Sequence, residues 1–427
     1  MASVKKRALT LTIIFKGLSP NYGESVGNVS ELKKLTHGGE LYSYLSRQAL
    51  RYELWKFLKT NYGIDTVDYW KKPYDTEEIK LPNIEEIAML SLRKNLIDFV
   101  SFIFDSLVSL KKSNFKESKQ EELKEEFHKY LNVANYPETL PELLSLKEKL
   151  INLLKISLKS SKEIFNAADE FYSFDPKVLP PQFILQSDKE VIQFDTFVNA
   201  FNCVEADLFG YMKTFSGQSS FTRSAVVRFS PAVALEPLAF DLEFGTNKNF
   251  ADRVGTNPNI YQFEHQYALY TYTITVDLDR LGVEFNKKGE PVGKLPKEER
   301  VRRLKMVIEA IPFLSREIKG RIENLSPLFA IGGFYPVKNP FFLGRVEIGY
   351  DKASKKFAIN PKPLTDILSL SFKGNRVAED TKVGLLSGLW ANEEKIEEAF
   401  GQEQVPVLNV SDLFSQLLEE AESVFEE

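Results

Sequence analysis

The segment Ala8–Lys16 carries apolar side chains at every second position, from Leu9 to Phe15. Strict alternation over this length is typical of a β-strand with one buried face. The threonines at positions 10 and 12 predict that the other face is polar. A chain that begins in this way must build a sheet around or beside this strand, and the segments that follow determine which sheet.

Helix-like and strand-like segments follow in a specific order. Ser46 is predicted to open a helix that runs to about Lys59, and strand character returns at Thr222–Phe229 and Tyr267–Leu278. A long helix is predicted next, and two further strands follow it. These three segments are Lys297–Leu325 with a kink at Pro312, Leu328–Phe334 and Arg345–Tyr350. The order strand, helix, strand, strand, helix, strand predicts an α+β fold of the ferredoxin-like or RNA-recognition type, βαββαβ.

Two long stretches interrupt this order. Residues 61–195 are predicted to be a helical insertion, with helices at Ile84–Leu110, Gln120–Leu131 and Pro141–Glu170. Residues 230–266 form a second excursion with turn signals, and Gly17–Gly39 is predicted to be a turn-rich loop. The core domain is therefore predicted in three pieces, 1–60, 196–229 and 267–350. Residues 351–427 are a C-terminal extension that ends in an acidic helix.

Composition places the chain among soluble globular proteins. Hydrophobic residues make up 43% of its 427 residues, and Cys203 is the single cysteine, which excludes an internal disulfide and favours a cytoplasmic location. Cations precede the apolar run near the N-terminus, but threonines interrupt that run and no cleavage signal follows, so a strand is preferred to a signal peptide. Asn95–Leu110 is too short to span a bilayer. No membrane association is expected.

The charge is distributed unevenly. The net charge is −5, yet residues 391–427 contain eleven carboxylates and one lysine, whereas residues 1–60 contain ten Lys or Arg and four Glu. Such asymmetry is compatible with an ordinary solvated surface and with an anionic partner of the N-terminal part. Charge alone does not choose between these two interpretations.

Signals of catalysis are weak. His37, His128 and His265 lie far apart in the sequence and have no His or Cys partner at ligand spacing. Gly289–Lys294 is one residue short of a phosphate-binding loop and lacks the hydroxyl residue after its lysine. We therefore expect no enzymatic activity, no cofactor and no metal ion.

Signals of binding concentrate at the start of the first helix. Ser46 is a favourable N-cap, and a helix N-terminus offers free backbone N–H groups and the positive end of the helix dipole. Arg47 and Arg51 lie in the first turns, where that dipole disfavours cations, and a bound phosphate would relieve the conflict. Gln48 adds donor and acceptor groups. Arg47 falls nearer the centre of the apolar stripe than Arg51, and an ordinary surface helix with two arginines is the alternative.

Further candidates lie in two other stretches. Gly332–Gly333 would allow the backbone to approach a ligand closely, although a strand end turning into a loop explains them equally well. Phe209–Arg228 interleaves aromatic residues with cations such as Arg223 and Arg228, a pattern that suits stacked bases and phosphates as well as an ordinary core edge.

Four segments, taken in order, resemble one family. They are LTLTIIFKGLSPNYG, LYSYLSRQALRYELWKF, ADLFGYM…SSFTRSAVVRFSPAVALEP and YTYTITVDLDRLG. Together they resemble the backbone subunit of type I CRISPR effector complexes, in particular the DevR-like branch of subtype I-B, over most of residues 8–350. Each segment alone is weakly specific, whereas their combination is specific.

The resemblance implies a hand-shaped subunit. An RNA-recognition palm would carry helical fingers at 61–195 and a β-rich thumb at 230–266, and copies would stack head-to-tail around a guide RNA that pairs with target DNA. It implies that Ser46, Gln48 and Arg51 grip the RNA backbone and that Gly332–Gly333 form a backbone loop against it. Other Cascade subunits would be partners. Lys16, Arg47, Arg223 and Arg228 complete the set of predicted RNA-binding residues.

Two alternatives remain. A type III-like backbone subunit would cleave target RNA with a metal ion held by an aspartate after the first strand, but residues 19–45 contain glutamates and no aspartate. A helical scaffold that binds only protein would carry no nucleic acid.

Overall fold

The computed structural model describes residues 4–26, 28–64, 66, 183–186, 191–194, 200–201, 203–213, 221–239, 241–285 and 289–425. The helices predicted between residues 84 and 170 lie outside these residues. The described part contains several sheets and several helices, which confirms the α+β class.

The elements are named in chain order. The strands are β1 (Ala8–Leu18), β2 (Tyr22–Val26), β3 (Val29–Leu32), β4 (Lys34–His37), β5 (Glu40–Leu45), β6 (Phe183–Gln186), β7 (Val191–Phe194), β8 (Tyr211–Lys213), β9 (Phe221–Arg223), β10 (Val227–Phe229), β11 (Ala232–Ala234), β12 (Asp241–Thr246), β13 (Ile260–His265), β14 (Tyr267–Asp277), β15 (Val283–Phe285), β16 (Pro291–Lys294), β17 (Ser315–Ile318), β18 (Arg321–Asn324), β19 (Phe329–Tyr335), β20 (Ile348–Asp351), β21 (Lys356–Ile359), β22 (Ser371–Phe372), β23 (Asn375–Arg376), β24 (Lys382–Leu385) and β25 (Val407–Asn409). The helices are α1 (Arg47–Tyr62), α2 (Val204–Phe209), α3 (Lys248–Val254), α4 (Lys297–Ala310), α5 (Lys362–Thr365), α6 (Glu393–Gln402) and α7 (Val410–Glu420), and Ile311–Phe313 and Val377–Asp380 are short 3₁₀ helices.

The chain divides into two compact units. Unit 1 comprises residues 1–64, 225–281 and 297–427, and unit 2 comprises residues 65–224 and 282–296.

A mixed sheet forms the centre of unit 1. Its strand order is β25-β24-β19-β1-β14-β11-β5-β4, and β10 also pairs with β14. β1 runs antiparallel to β14 along its whole length and to β19 along most of it. β1, the first predicted strand, therefore lies between β14 and β19, which correspond to the strands predicted at Tyr267–Leu278 and Leu328–Phe334.

Both faces of β1 are buried, which corrects the prediction of a polar face. Thr10 and Thr12 are as inaccessible as Leu11 between them, and Thr12 Oγ1 lies 2.8 Å from Thr273 Oγ1 on β14. Ile14 belongs to a hydrophobic core that includes Trp390 and Phe400 of the C-terminal extension. Alternation indicated a strand correctly, but it could not show that a segment nearly 400 residues away in sequence packs in the same core.

The predicted long helix at Lys297–Leu325 is shorter than expected. α4 ends at Ala310, Ile311–Phe313 forms one 3₁₀ turn, and the remainder is a hairpin of β17 and β18. Lys319 and Gly320 have φ of 49° and 78° and form its two-residue turn. A proline lacks the N–H that a helix interior needs, and a two-residue turn with positive φ at both positions matches the twist of paired strands. Pro312 therefore marks the end of the helix and not a kink within it.

The acidic segment 391–427, predicted as one helix at the end of the C-terminal extension, contains α6, β25 and α7. β25 pairs in parallel with β24 to extend the central sheet. Several carboxylates of this segment meet cations of unit 1, as in the pairs Lys305–Glu422 (2.6 Å) and Arg376–Glu403 (2.6 Å). Part of the local negative charge is therefore compensated within the unit.

Two other predicted segments differ in detail. The stretch predicted as a turn-rich loop, Gly17–Gly39, contains β2, β3 and β4, and β2 and β3 join β12 and β13 in a separate four-stranded sheet. The predicted strand at Arg345–Tyr350 is β20, which pairs with β21 outside the central sheet. Strands of four or five residues give weak local signals, because strand propensity depends on the context of the sheet.

Unit 2 contains three strand pairs, β6–β7, β8–β9 and β15–β16, among its described residues. Two buried carboxylates connect segments of this unit through hydrogen bonds. The Asp207 carboxylate on α2 accepts hydrogen bonds from Arg223 on β9 (2.6 Å) and from the Gly282 N–H (3.0 Å), and Glu284 accepts one from the Ala200 N–H (2.7 Å). The predicted strand at 222–229 is thus two strands, β9 and β10, in different sheets.

Among the described residues, no helix is both long enough and apolar enough to cross a membrane.

Candidate nucleic-acid interface

α1 is fixed in place by its sequence. Leu50, Leu54 and Leu58 recur at a spacing of four residues and are fully buried. The helix ends where Gly63 adopts φ 58°, a left-handed conformation that glycine tolerates best. The helix packs against α4 and β10. Among the described residues, another side of α1 carries exposed polar and aromatic side chains, such as Arg47 and Tyr52.

The N-cap predicted at Ser46 is present. Ser46 has extended backbone angles, its hydroxyl oxygen accepts the N–H of Ala49 (3.3 Å), and its carbonyl accepts the N–H of Leu50 (3.1 Å). The N–H groups of Arg47 and Gln48 belong to those that an α-helix leaves without an acceptor inside the helix. The first turn carries no carboxylate that would compete for them. This helix start is therefore suited to an anionic ligand.

Arg47, Gln48 and Arg51 are all exposed on α1. Arg47 was expected nearer the apolar stripe than Arg51, but it precedes Leu50, the first buried residue of the helix, and projects into solvent. Arg47 and Arg51 are four residues apart and share one side of the helix. The structure therefore brings two cations and the capped helix start together.

The β17–β18 hairpin faces this part of α1. Arg316 on β17 forms an ion pair with Glu53 on α1 (2.6 Å) and donates a second hydrogen bond to the carbonyl of Pro20 (2.9 Å). Burial raises the pKa of the Glu53 carboxyl above its ordinary value of 4.5, although Arg316 acts in the opposite direction. The pair fixes the hairpin to the helix.

A cleft of about 620 Å³ lies between the helix and the hairpin. Its lining is polar and includes side chains of both charges. The lining residues are Gln48, Ala49, Tyr52, Glu53, Lys56, Arg316, Glu317, Ile318, Lys319 and Gly320. Except for Gln48, none of these was predicted as a site residue. The hairpin residues were missed because Lys297–Leu325 was interpreted as one helix. The signals that could have revealed the hairpin are Pro312 and the Lys319–Gly320 turn.

Lys319 lines the cleft at the tip of the hairpin, but its ammonium group contacts the four-stranded sheet. Its Nζ donates to Ser30 Oγ (3.1 Å) and lies 5.0 Å from the ring centroid of Phe263 and 5.5 Å from that of Tyr22. A cation over aromatic rings is stabilised by their negative faces. The turn therefore connects α1 to the four-stranded sheet of unit 1.

Lys16 and Arg228 lie on one face of the central sheet but far apart. Lys16 is paired with Leu269 and Arg228 with Thr275 along β14, a separation of about 20 Å at the usual rise per strand residue. Lys16 Nζ lies 4.3 Å from the ring centroid of Tyr267, and Arg228 Nε donates to the carbonyl of Ala225 (3.0 Å). Both side chains are exposed, but they do not form one site.

An ion-pair group borders Arg228. Arg228 Nη2 is 3.9 Å from Asp277, and Lys338 Nζ contacts both Asp277 (2.5 Å) and Asp279 (3.0 Å). Burial alone would raise the pKa of Asp279, but hydrogen bonds from Lys338 and Arg7 lower it below the ordinary value.

Gly332 and Gly333 are buried within β19 and approach the protein's own backbone. A Cβ at Gly332 would lie 1.9 Å from the Thr10 carbonyl oxygen, and one at Gly333 would lie 1.9 Å from the Asp380 carbonyl oxygen. The glycines were predicted to permit a close approach, and the observed approach is to β1 and to the 3₁₀ turn at Val377–Asp380. They are packing residues in this structure, not a surface loop.

Arg223 is also enclosed. Its side chain is 1% exposed, and it donates to Asp207 (2.6 Å) and to the carbonyl of Val283 (2.7 Å) within unit 2. An arginine held in this way positions protein segments and does not present its guanidinium to a phosphate. The pattern of cations and aromatic residues in the sequence could not show its burial.

Among the residues that the structure describes, no group of three or more His, Cys, Asp or Glu side chains is arranged to hold a metal ion.

The comparisons with known proteins point to one family. Residues 147–352 match the model of the family described as CRISPR-associated negative auto-regulator DevR/Csa2. The match confirms the predicted resemblance to the DevR-like family for these residues, and it does not distinguish the subtype. No curated protein matches the sequence.

Two solved structures are similar to the chain at 11% sequence identity. One is described as a CRISPR RNA-guided surveillance complex, pre-nicking, with a TM-score of 0.45 over 97% of this chain and 100% of that chain. The other is described as a CRISPR RNA-guided surveillance complex, with a TM-score of 0.37 over 96% of this chain and 99% of that chain.

Proposed function

We propose that this chain is a non-catalytic, repeated subunit of a Cascade-type CRISPR surveillance complex that binds the backbone of the guide RNA without regard to sequence. Copies stack head-to-tail along the RNA, contact other subunits of the complex and leave the base edges free to pair with target DNA. The match of residues 147–352 to the DevR/Csa2 family carries the assignment to CRISPR complexes.

The topology of unit 1 supports an RNA-recognition palm. β1, β10 with β11, β14 and β19 lie in the order β19-β1-β14-β11, and these neighbours are antiparallel. α1 connects the first strand of this set to the second, and α4 connects the third to the fourth. In the proposed palm, these four strands and two helices would be the βαββαβ unit. In the proposed subunit, residues 61–195 are the fingers, 230–266 the thumb and 351–427 the extension that completes the palm core.

The RNA-backbone site is the start of α1. Ser46 caps the helix, Arg47, Gln48 and Arg51 are exposed around it, and the helix dipole adds partial positive charge. These groups recognise phosphate, which every nucleotide carries, so they can hold any guide sequence. Arginine suits this role because its planar fork can bind phosphate oxygens in pairs. Lys16 and Arg228 would contact the same strand elsewhere on the palm.

Binding of labelled RNA to the full chain tests the proposal. Fluorescence anisotropy should give similar affinities for oligoribonucleotides of unrelated sequence, and log K should fall linearly with log salt concentration. Arg51→Glu should weaken binding and reduce the magnitude of the salt slope by about 0.7, the value for one phosphate contact on a single strand. Lys355→Glu makes the same charge change at the exposed β20–β21 turn and should alter neither quantity.

Two results would contradict the proposal. Absence of RNA binding at low ionic strength with the sister subunits present would refute RNA recognition. Regular magnesium-dependent cuts in a target RNA would refute the non-catalytic assignment and favour the type III-like alternative. Electron microscopy of the RNA complex provides the test of stacking, since filaments should form only with RNA.

A further inference from the structure

One wall of the cleft between α1 and the β17–β18 hairpin is a row of three unlike side chains. Gln48, Tyr52 and Lys56 follow one another at intervals of four residues and line the cleft together. Residues four apart lie on the same side of a helix, so an amide, an aromatic ring and an ammonium group are aligned along this wall. Arg47 and Arg51 form the adjacent row, one position earlier in the sequence.

Tyr52 is the unusual member of the row. It is 53% exposed although it is large and aromatic. Its ring stacks on Trp55, with the ring centroids 5.5 Å apart and the planes at 29°. Trp55 therefore supports the ring from one side, while the exposed part of Tyr52 lines the cleft. A supported, exposed aromatic ring beside cations is the usual platform for a base of a single-stranded nucleic acid.

The rest of the cleft suits a planar, uncharged group with polar edges. The opposite wall is the hairpin from Arg316 to Gly320, and the Glu53–Arg316 ion pair forms a fixed part of the lining. The ammonium of Lys319 is directed to Ser30 and does not fill the space. The lining carboxylates Glu53 and Glu317 pair with Arg316 (2.6 Å) and Lys56 (3.8 Å), so these charges compensate one another and do not attract a second phosphate strongly. A volume of about 620 Å³ accommodates a base with water around it.

We propose that this cleft receives one nucleobase of the bound RNA strand, stacked on Tyr52, while Arg47 and Arg51 hold the adjoining phosphates. This inference rests on the proposed function and adds a base-binding subsite to it. The one base in the cleft is withheld from pairing, and the other bases keep their edges free for target DNA. The Gln48 amide both donates and accepts hydrogen bonds, so it can contact the edge of any base. The subsite is therefore tolerant of sequence, as a subunit that serves any guide requires.

An abasic oligonucleotide separates base binding from backbone binding. The full chain is titrated with two labelled oligoribonucleotides of equal length, one intact and one in which every base is absent. Wild-type protein and the variants Tyr52→Leu and Tyr52→Phe are compared at one salt concentration. Tyr52→Phe is the matched control because it keeps the ring and loses only the hydroxyl. Circular dichroism checks that each variant retains its fold.

The wild type and Tyr52→Phe should bind the intact strand at least about tenfold more tightly than the abasic strand, the usual effect of one stacked base. Tyr52→Leu should reduce that ratio about tenfold and leave the affinity for the abasic strand unchanged. Equal ratios for wild type and Tyr52→Leu would overturn the subsite while leaving backbone binding intact. Failure of the wild type to bind either strand would overturn the proposed function as well.

Discussion

Replacing Arg316 with methionine should destabilise unit 1 through the carboxylate that it leaves behind. Glu53 is 5% exposed, and the Arg316 side chain, 18% exposed, lies 2.6 Å from it. Removing one partner of a buried ion pair costs about 3–5 kcal/mol, mainly because the other charge stays buried without compensation. Since Arg316 retains some contact with water, we expect the lower end of this range, about 3 kcal/mol.

A second substitution distinguishes this cause from loss of packing. In the double variant Glu53→Leu with Arg316→Met, no uncompensated charge remains and apolar groups replace the pair. Such replacements are often neutral, and only the hydrogen bond to the Pro20 carbonyl is lost, at about 1 kcal/mol. The double variant should therefore be about 2 kcal/mol more stable than Arg316→Met alone.

The deficit of Arg316→Met should also depend on pH. Burial already raises the pKa of Glu53, and removing the opposing arginine raises it further. A carboxyl whose pKa is higher in the folded state than in the unfolded state takes up a proton on folding. The deficit is then largest above the folded-state pKa and shrinks as the pH falls through it towards the ordinary value of 4.5.

Urea denaturation followed by tryptophan fluorescence measures these free energies, and Trp55 on α1 reports on this region. Lys56→Met is the control, because its pair with Glu317 is long, at 3.8 Å, and largely exposed. It should cost less than about 0.5 kcal/mol. A double variant as unstable as Arg316→Met, or a deficit that is constant between pH 7.5 and pH 5, would refute the reasoning.

Two further predictions concern unit 1. Gly333→Ala should cost at least about 2 kcal/mol, because its Cβ would lie 1.9 Å from the Asp380 carbonyl oxygen, whereas Gly349→Ala, whose Cβ meets nothing within 4 Å, should change stability by less than about 0.5 kcal/mol in the same urea titration. Asp279→Asn should destabilise the protein at pH 7, because ion pairs lower the pKa of Asp279 and its contribution is present above the unfolded-state value. The difference from wild type should narrow as the pH falls below about 4, and a difference that persists at acid pH would contradict this assignment.

The sequence was sufficient to predict those helices and strands that are specified by residues close to one another in the chain. α1 was predictable because its N-cap, its leucine stripe and its terminal glycine lie within one short segment. β1 and β14 were predictable because alternation or a long β-branched and aromatic run specifies a strand without naming its partner. From these elements the sequence indicated the α+β class and the exposed arginine of the capped helix start.

Tertiary structure decided what each element faces. The hairpin after Pro312, the cleft that it forms with α1, and the enclosure of Arg223 and Gly333 all depend on residues distant in sequence. An arginine or a glycine pair has the same local pattern whether it meets a ligand or the protein's own backbone. Burial is a property of the assembled chain, so the sequence determined which groups are available for binding, and only the fold decided which of them reach solvent.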